Sequence, residues 1–338
     1  MRGRTLKSMV RLLASTRLAL LGIVLLALGA LFSYDNPDAP LWLLIAPLFL
    51  LALNLTSALF ANARIRQNGG LLLFHLALLG VILLVGAGYL MRFDGRVEVT
   101  EGSVFSFDDA EPIRRGPLHP FRLNRVHFAQ GSFSVDYLGG LNRSITRSQV
   151  FVPDANGQRI ALVVGDSTPL LLEGYRFYTT PNKGFAPLIT WTPDGGLPSS
   201  GTLNMPAYPK FEWLQKNRWT PPGGTEILTF ELHIKTKYSE SADWILDGKS
   251  RQTTLTLISA NKNIVLNPGD TTTLPGGQLR FDELRTWMGY DIFYDPSLPW
   301  LFYVAILGVF GLAWHYWRNS TSVPFTAAVV PSESRSIV

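Results

Sequence analysis

Four apolar stretches set the frame of this chain, at 18–32, 41–60, 71–90 and 298–317, three of them inside the first ninety residues. Crossing a hydrocarbon core takes about 20 apolar residues as a helix, because lipid offers backbone N–H and C=O groups no partner but one another. Each stretch approaches that length, the first being the shortest. The expected architecture is an integral membrane α-helical bundle of four spans, at about 18–33, 41–61, 70–90 and 299–317. The 92–298 segment hangs between the third and fourth spans, and 276–317 passes from β-type alternation into an apolar helix with no linker. The alternative for the first stretch is a cleaved signal peptide, since a basic leader precedes it. No convincing small-x-small cleavage site precedes Tyr34, which favours a retained span.

Orientation follows from the lysines and arginines, which resist translocation next to a span. The N-terminal tail, 1–17, carries Arg2, Arg4, Lys7, Arg11 and Arg17, and the loop after the second span carries Arg64 and Arg66 without an acid. The loop after the first span has Asp35 and Asp38 without a base. Both termini, including the short tail 318–338, are therefore expected in the cytoplasm and 92–298 outside.

The net charge of +5 belongs to this topology signal. Within 92–298, 21 lysines and arginines stand against 22 aspartates and glutamates. A nucleic-acid partner, which would need basic clustering on the folded domain, is not expected. The chain has no cysteine. That excludes a disulfide framework, a thiol relay, a thiolate metal site and covalent haem attachment through CxxCH.

Inside 92–298, short runs such as SFSVDYLGG, QRIALVVGD and TFELHIKTKY alternate apolar and polar residues, with turn residues at 153–157, 193–196 and 267–270 between them. This is β periodicity, and an all-β domain, a sandwich or open barrel of antiparallel strands, is expected between spans three and four. The stretch 197–224, with Trp213, Trp219 and five prolines, breaks the alternation. It either covers a sheet edge or touches the membrane surface. Two phrases, 162–184 and 265–289, echo one another: Gly-Asp, a Thr/Ser pair, a leucine step, a glycine, then a strand. An internal duplication and mere reuse of one turn chemistry both account for the echo.

The order of these features resembles the ResB family of cytochrome c biogenesis proteins. The residues that carry it are the ST-R-LALLGIVLLALGALFS entry helix, LALNL in the second span and HLALLGVILLVGAG at 75–88. Beyond them come VEVTEGSVFSF at 97–107, GYRFYTTPNKG and the Gly-Tyr-x-Ile-x-Tyr-Asp-Pro-x-x-Pro approach to the last span. The resemblance covers nearly the whole chain. It implies a non-catalytic assembly factor of the system II machinery in the bacterial cytoplasmic membrane. It also implies a ResC/CcsA-type partner with a tryptophan-rich segment, and delivery of haem to apocytochrome c outside.

Of five histidines, His75 lies inside an apolar span, about 8 Å from its start at Gly70. An ionisable group there is costly unless paired, and marks a functional pathway or a packing contact with a neighbour such as Asn54. The resemblance implies that His75 is an axial ligand for haem in transit, and imidazole suits that role. His315, among Trp314, Tyr316 and Trp317, reads as interfacial anchoring and as a second candidate ligand that can share one site with His75. His119 and His127 read as surface or edge-strand residues, and His233 as a solvent-facing strand residue. No nucleophile elbow, phosphate loop or zinc motif is present. Asp282, Glu283, Asp291 and Asp295 read as membrane-proximal solubilising charge. The competing function is a membrane-anchored sensing or scaffold protein that handles no haem.

Overall fold

The structure is a computed structural model that describes residues 9–36, 38–154, 156–222, 226–235, 239–247, 253–259 and 262–321. Arg2, Arg4, Lys7 and the tail beyond 321 lie outside the described residues. The chain divides into two compact units, Met1–Met91 with Pro296–Val338, and Arg92–Asp295.

The first unit is helical: α1 (Thr16–Ser33), α2 (Trp42–Ala61), the short α3 (Ala63–Gln67), α4 (Gly69–Met91) and α5 (Leu298–Thr321). α1, α2, α4 and Leu298–Arg318 of α5 are each long and apolar enough to cross a membrane, which suggests a multi-pass membrane protein. The Ser15 side chain caps α1 by accepting the Leu18 N–H at 3.3 Å. Asn54 of α2 donates through Nδ2 to the carbonyls of Leu13 and Ser15, at 2.5 and 3.0 Å, satisfying backbone acceptors just before α1. Pro47 inside α2 has no N–H for the Leu43 carbonyl. Gly29 of α1 packs against that carbonyl so tightly that a Cβ there would stand 2.3 Å from its oxygen. α4 and α5 meet in the same manner, Gly70 against the backbone of Gly311 and His315, and Gly311 against Phe74. Where lipid gives no hydrophobic drive for helices to associate, such backbone approach supplies van der Waals contact instead.

The second unit holds fifteen described strands, all paired antiparallel, in three sheets that share one apolar core. Its centre is the pairing of two long strands, β7 (Tyr175–Pro193) and β15 (Gly277–Tyr294). Two halves of the unit follow the same plan. In the first, β3 (Ala129–Tyr137), β4 (Arg143–Pro153) and β5 (Arg159–Val164) form a meander, then Gly165-Asp166 leads into β6 (Leu170–Leu172) and back along β7. In the second, β10 (Leu228–Ile234), β12 (Thr253–Ser259) and β13 (Lys262–Leu266) form the meander, and Gly269-Asp270 leads into β14 (Thr271–Leu274) and back along β15. Both reversals are two-residue turns, Glu173-Gly174 and Pro275-Gly276, whose glycines have φ of 84° and 85°. The echo between the two phrases is thus a repeated hairpin, and the repetition extends to the three strands before each.

β11 (Trp244–Asp247) leaves the second half to extend the first half's sheet beside β3, and β9 (Lys216–Trp219) borders β10. β1 (Phe93–Thr100) flanks β15, β2 (Glu111–Arg115) borders β1, and β8 (Ser199–Thr202) pairs with β7. After β8, residues 203–208 continue along β7, with the N–H groups of Leu203, Met205 and Tyr208 donating to Pro187, Phe185 and Lys183. Trp219 packs edge-on to Trp191, whereas Trp213 is exposed. A buried polar triangle joins the central sheet to the first meander: the Tyr290 hydroxyl donates to Gln130 Oε1 at 2.7 Å and lies 2.7 Å from Ser148 Oγ, which accepts from Gln130 Nε2. With every member satisfied, the triangle specifies how the two sheets seat.

Candidate functional site

α4 carries His75 half-buried, one turn and a half beyond the Gly70 contact. Its Nδ1 lies 2.8 Å from the Leu71 carbonyl, four residues back along the helix. A carbonyl only accepts, so that contact places the proton on Nδ1 and leaves Nε2 as the lone-pair nitrogen. An imidazole so held has Nε2 as the nitrogen that could take a metal. Asn54, the packing partner considered for His75, is instead committed to Leu13 and Ser15.

His315 lies on the opposite helix, α5, with its backbone against Gly70. It is half-buried on the α4–α5 seam, while Trp314, Tyr316 and Trp317 around it are exposed. Gly70, Phe74 and Ala77 mark the face of α4 that meets α5. At about 100° per residue, His75 is turned roughly 140° away from Gly70. His75 and His315 thus both lie near the end of the helix pair where Gly70 meets α5, with His75 turned away from the Gly70 face.

In the β unit, His119 departs from the surface role expected of it. It is only 9% exposed, its Nε2 is 2.7 Å from the Tyr175 hydroxyl, and its ring stacks on Phe93 with centroids 5.2 Å apart. Its neighbours in sequence gave no signal of this, since Leu118 and Phe121 are themselves exposed. His127 and His233 are exposed. The acidic residues of β15 are dispersed into separate pairs, Asp282 with Arg280, Glu283 with Arg285 at 2.8 Å and Asp291 with Arg96 at 3.1 Å. No two of them converge as an acid–base couple. Among the described residues no group of three or more His, Asp or Glu side chains is placed to hold a metal.

Two features of the β unit escaped the sequence reading. Lys183 is 1% exposed, and the one hydrogen-bond contact of its ammonium among the described residues is the Pro181 carbonyl at 3.5 Å. Burial, reinforced by the Arg143 charge and partly offset by Asp166, pulls its ammonium down to about 8. Beside it, β7 bulges at Thr180–Asn182 opposite the single residue Gly289. A Cβ on Gly289 would stand 2.6 Å from the Asn182 carbonyl oxygen. The bulge forms part of the floor of a cleft of about 960 Å³, whose remaining floor comes from β1 and β15. Pro181-Asn182 within an otherwise alternating strand is the sequence mark of that bulge.

The chain matches no protein-family model and no curated protein.

Proposed function

We propose that this chain is a ResB-like membrane assembly factor for c-type cytochromes. In this reading it works with a ResC/CcsA-type partner bearing a tryptophan-rich segment, conveying or positioning haem for attachment to apocytochrome c. The observation that carries the reading is the tautomer of His75. An imidazole inside an apolar helix, with Nδ1–H committed to Leu71, offers Nε2 to iron without first breaking a bond. Haem is here cargo, and the chain supplies one ligand and a non-aqueous surround to it.

Two further observations support the reading. The phrases GYRFYTTPNKG and GYDIFYDP, which carry the family resemblance, lie on β7 and β15 and pair with one another, Ile292 opposite Phe177 and Tyr290 opposite Thr179. The basic residues around α3, with Arg66 reaching the Leu59 carbonyl at 3.2 Å, support a cytoplasmic end for α2 and α4. On that topology both termini are cytoplasmic, the β unit is extracytoplasmic and the membrane is the bacterial cytoplasmic one.

The test is haem content of the full chain co-expressed and purified with its partner, read from the absorbance spectrum and from a pyridine haemochrome assay. Wild type should retain haem, His75→Ala should fall to background at equal protein yield, and His75→Gly should regain haem when imidazole is added. A haem-free wild-type complex, or undiminished haem in His75→Ala, would refute the assignment.

A further inference from the structure

The cleft of about 960 Å³ in the β unit lies wholly within Arg92–Asp295, and nothing about it depends on haem. Its floor is the outer face of three strands. Arg96, Glu98 and Thr100 project from β1 at the two-residue period of a strand, and each is held by a neighbour across the floor. Arg96 donates to Asp291, Glu98 accepts from Asn182 Nδ2 at 2.8 Å, and Thr100 donates to Asn204 Oδ1 at 2.9 Å. The first two pairs each engage one oxygen of a carboxylate, Asp291 Oδ1 and Glu98 Oε1.

The main chain of β1 is open there as well. β2 pairs with β1 only from Phe93 to Arg96, so the outer edge beyond Arg96 has no strand against it. The Glu101 N–H donates to Thr286 on β15, and the alternation of an antiparallel ladder then turns the N–H and C=O of Val97 and Val99 toward β15 and those of Glu98 outward. Among the described residues no backbone group bonds either Glu98 main-chain group. Val97 and Val99 are 3% and 4% exposed, so they line the cleft chiefly through backbone atoms. An unpaired strand edge of this kind is a template for one more strand.

The charge of the lining names the partner. Glu98, Asp109, Glu111 and Asp291 face Arg96 and Lys210, and since Arg96 pairs with Asp291, three carboxylates stand against one ammonium. We propose that this cleft binds an extended polypeptide segment bearing basic side chains, taken up as a strand on the open edge of β1. Main-chain bonds to Glu98 hold the segment regardless of its sequence. Alternate side chains of the segment then face the cleft, where Glu98, Asp109, Glu111 and Asp291 lie.

Fluorescence anisotropy on the full chain in detergent tests this with a short labelled peptide of alternating lysine and valine. Controls are its glutamate–valine counterpart and a lysine–valine peptide N-methylated on alternate amides, prepared in both phases. The basic peptide should bind saturably and weaken with salt, the acidic one should not bind, and one N-methylated phase should lose affinity about tenfold or more. The exposed pair Asp109→Lys with Glu111→Lys should leave the fold intact, weaken the basic peptide and favour the acidic one. Indifference to charge, to both methylation phases or to the charge reversal would overturn the proposal. Displacement of the basic peptide by a neutral oligosaccharide would overturn it in favour of a glycan site. Haem loading of the complex is a separate measurement, so the two readings fail independently.

Discussion

Phe93 and Tyr294, the first residue of β1 and the last of β15, are register partners across the central sheet. The strand that follows α4 and the strand that precedes α5 thus run side by side, and His119 closes the end of the pair. Its ring stacks on Phe93 and meets Tyr294 edge-on at 5.1 Å, with the Tyr175 hydroxyl on Nε2.

Removing that ring should loosen this end of the β unit. His119→Ala takes away a buried ring and a hydrogen-bond partner of Tyr175, and should cost about 2–4 kcal/mol. Chemical denaturation of the full chain, followed by tryptophan fluorescence, measures the loss; a midpoint equal to wild type would contradict the packing role.

Gly289 is needed for space, since its φ is unexceptional. Gly289→Val drives a branched side chain into the Asn182 carbonyl and Thr180 Oγ1, and should destabilise the β unit by about 1–3 kcal/mol. Gly201 of β8 has nothing within 4 Å of an added Cβ, so Gly201→Ala should leave the melting temperature within error. Equal effects at the two sites would count against the bulge as a close contact.

Lys183 predicts a stability that rises with pH. Its pKa falls from 10.5 in the free side chain to about 8 in the fold, so below about 8 the buried ammonium opposes folding in full. As pH climbs from about 8 toward 10.5 the native amine has lost its proton while the unfolded one keeps it, and the penalty disappears. Tyr137, pushed up to about 12 chiefly by its own burial, acts the opposite way from about pH 10, where the unfolded hydroxyl ionises first, so the comparison with Lys183→Met isolates the lysine. Lys183→Met should stabilise by about 2–3 kcal/mol at neutral pH, with the gain closing above about pH 10. A gain independent of pH would show that packing, and not charge, is responsible.

The absence of cysteine makes the topology directly testable. Gln67→Cys at the end of α3 and Gln158→Cys in the β4–β5 turn both lie at exposed positions. A membrane-impermeant maleimide on intact cells with the outer barrier removed should label Gln158→Cys at once and Gln67→Cys only after lysis. The reverse pattern would invert the proposed orientation.

The helices were legible because each signal is a length of apolar sequence read over its own residues. The expected spans 18–33, 41–61, 70–90 and 299–317 lie within a few residues of Thr16–Ser33, Trp42–Ala61, Gly69–Met91 and Leu298–Thr321. The largest shift is at α5, which runs on past Arg318. Tight turns were legible for the same local reason, Gly174 and Gly276 standing where a positive φ was required. Of the candidate site, the position of His75 within its helix was readable. Its tautomer was not, because that depends on the ring turning back to Leu71. Which face of α4 meets α5 was likewise not readable, because Gly70, Phe74 and Ala77 decide it together.

By itself the sequence determined what is short-range: four apolar helices, an antiparallel β unit between the third and fourth, the turns that repeat and an imidazole among leucines. Only the tertiary structure decided what lies beside what. It put β11 next to β3, drew His119 and Lys183 inward, and left the edge of β1 open over a cleft lined with acid. Apolar periodicity commits a residue to a face using its own neighbours, whereas burial of a polar group or exposure of a strand edge depends on partners up to two hundred residues away.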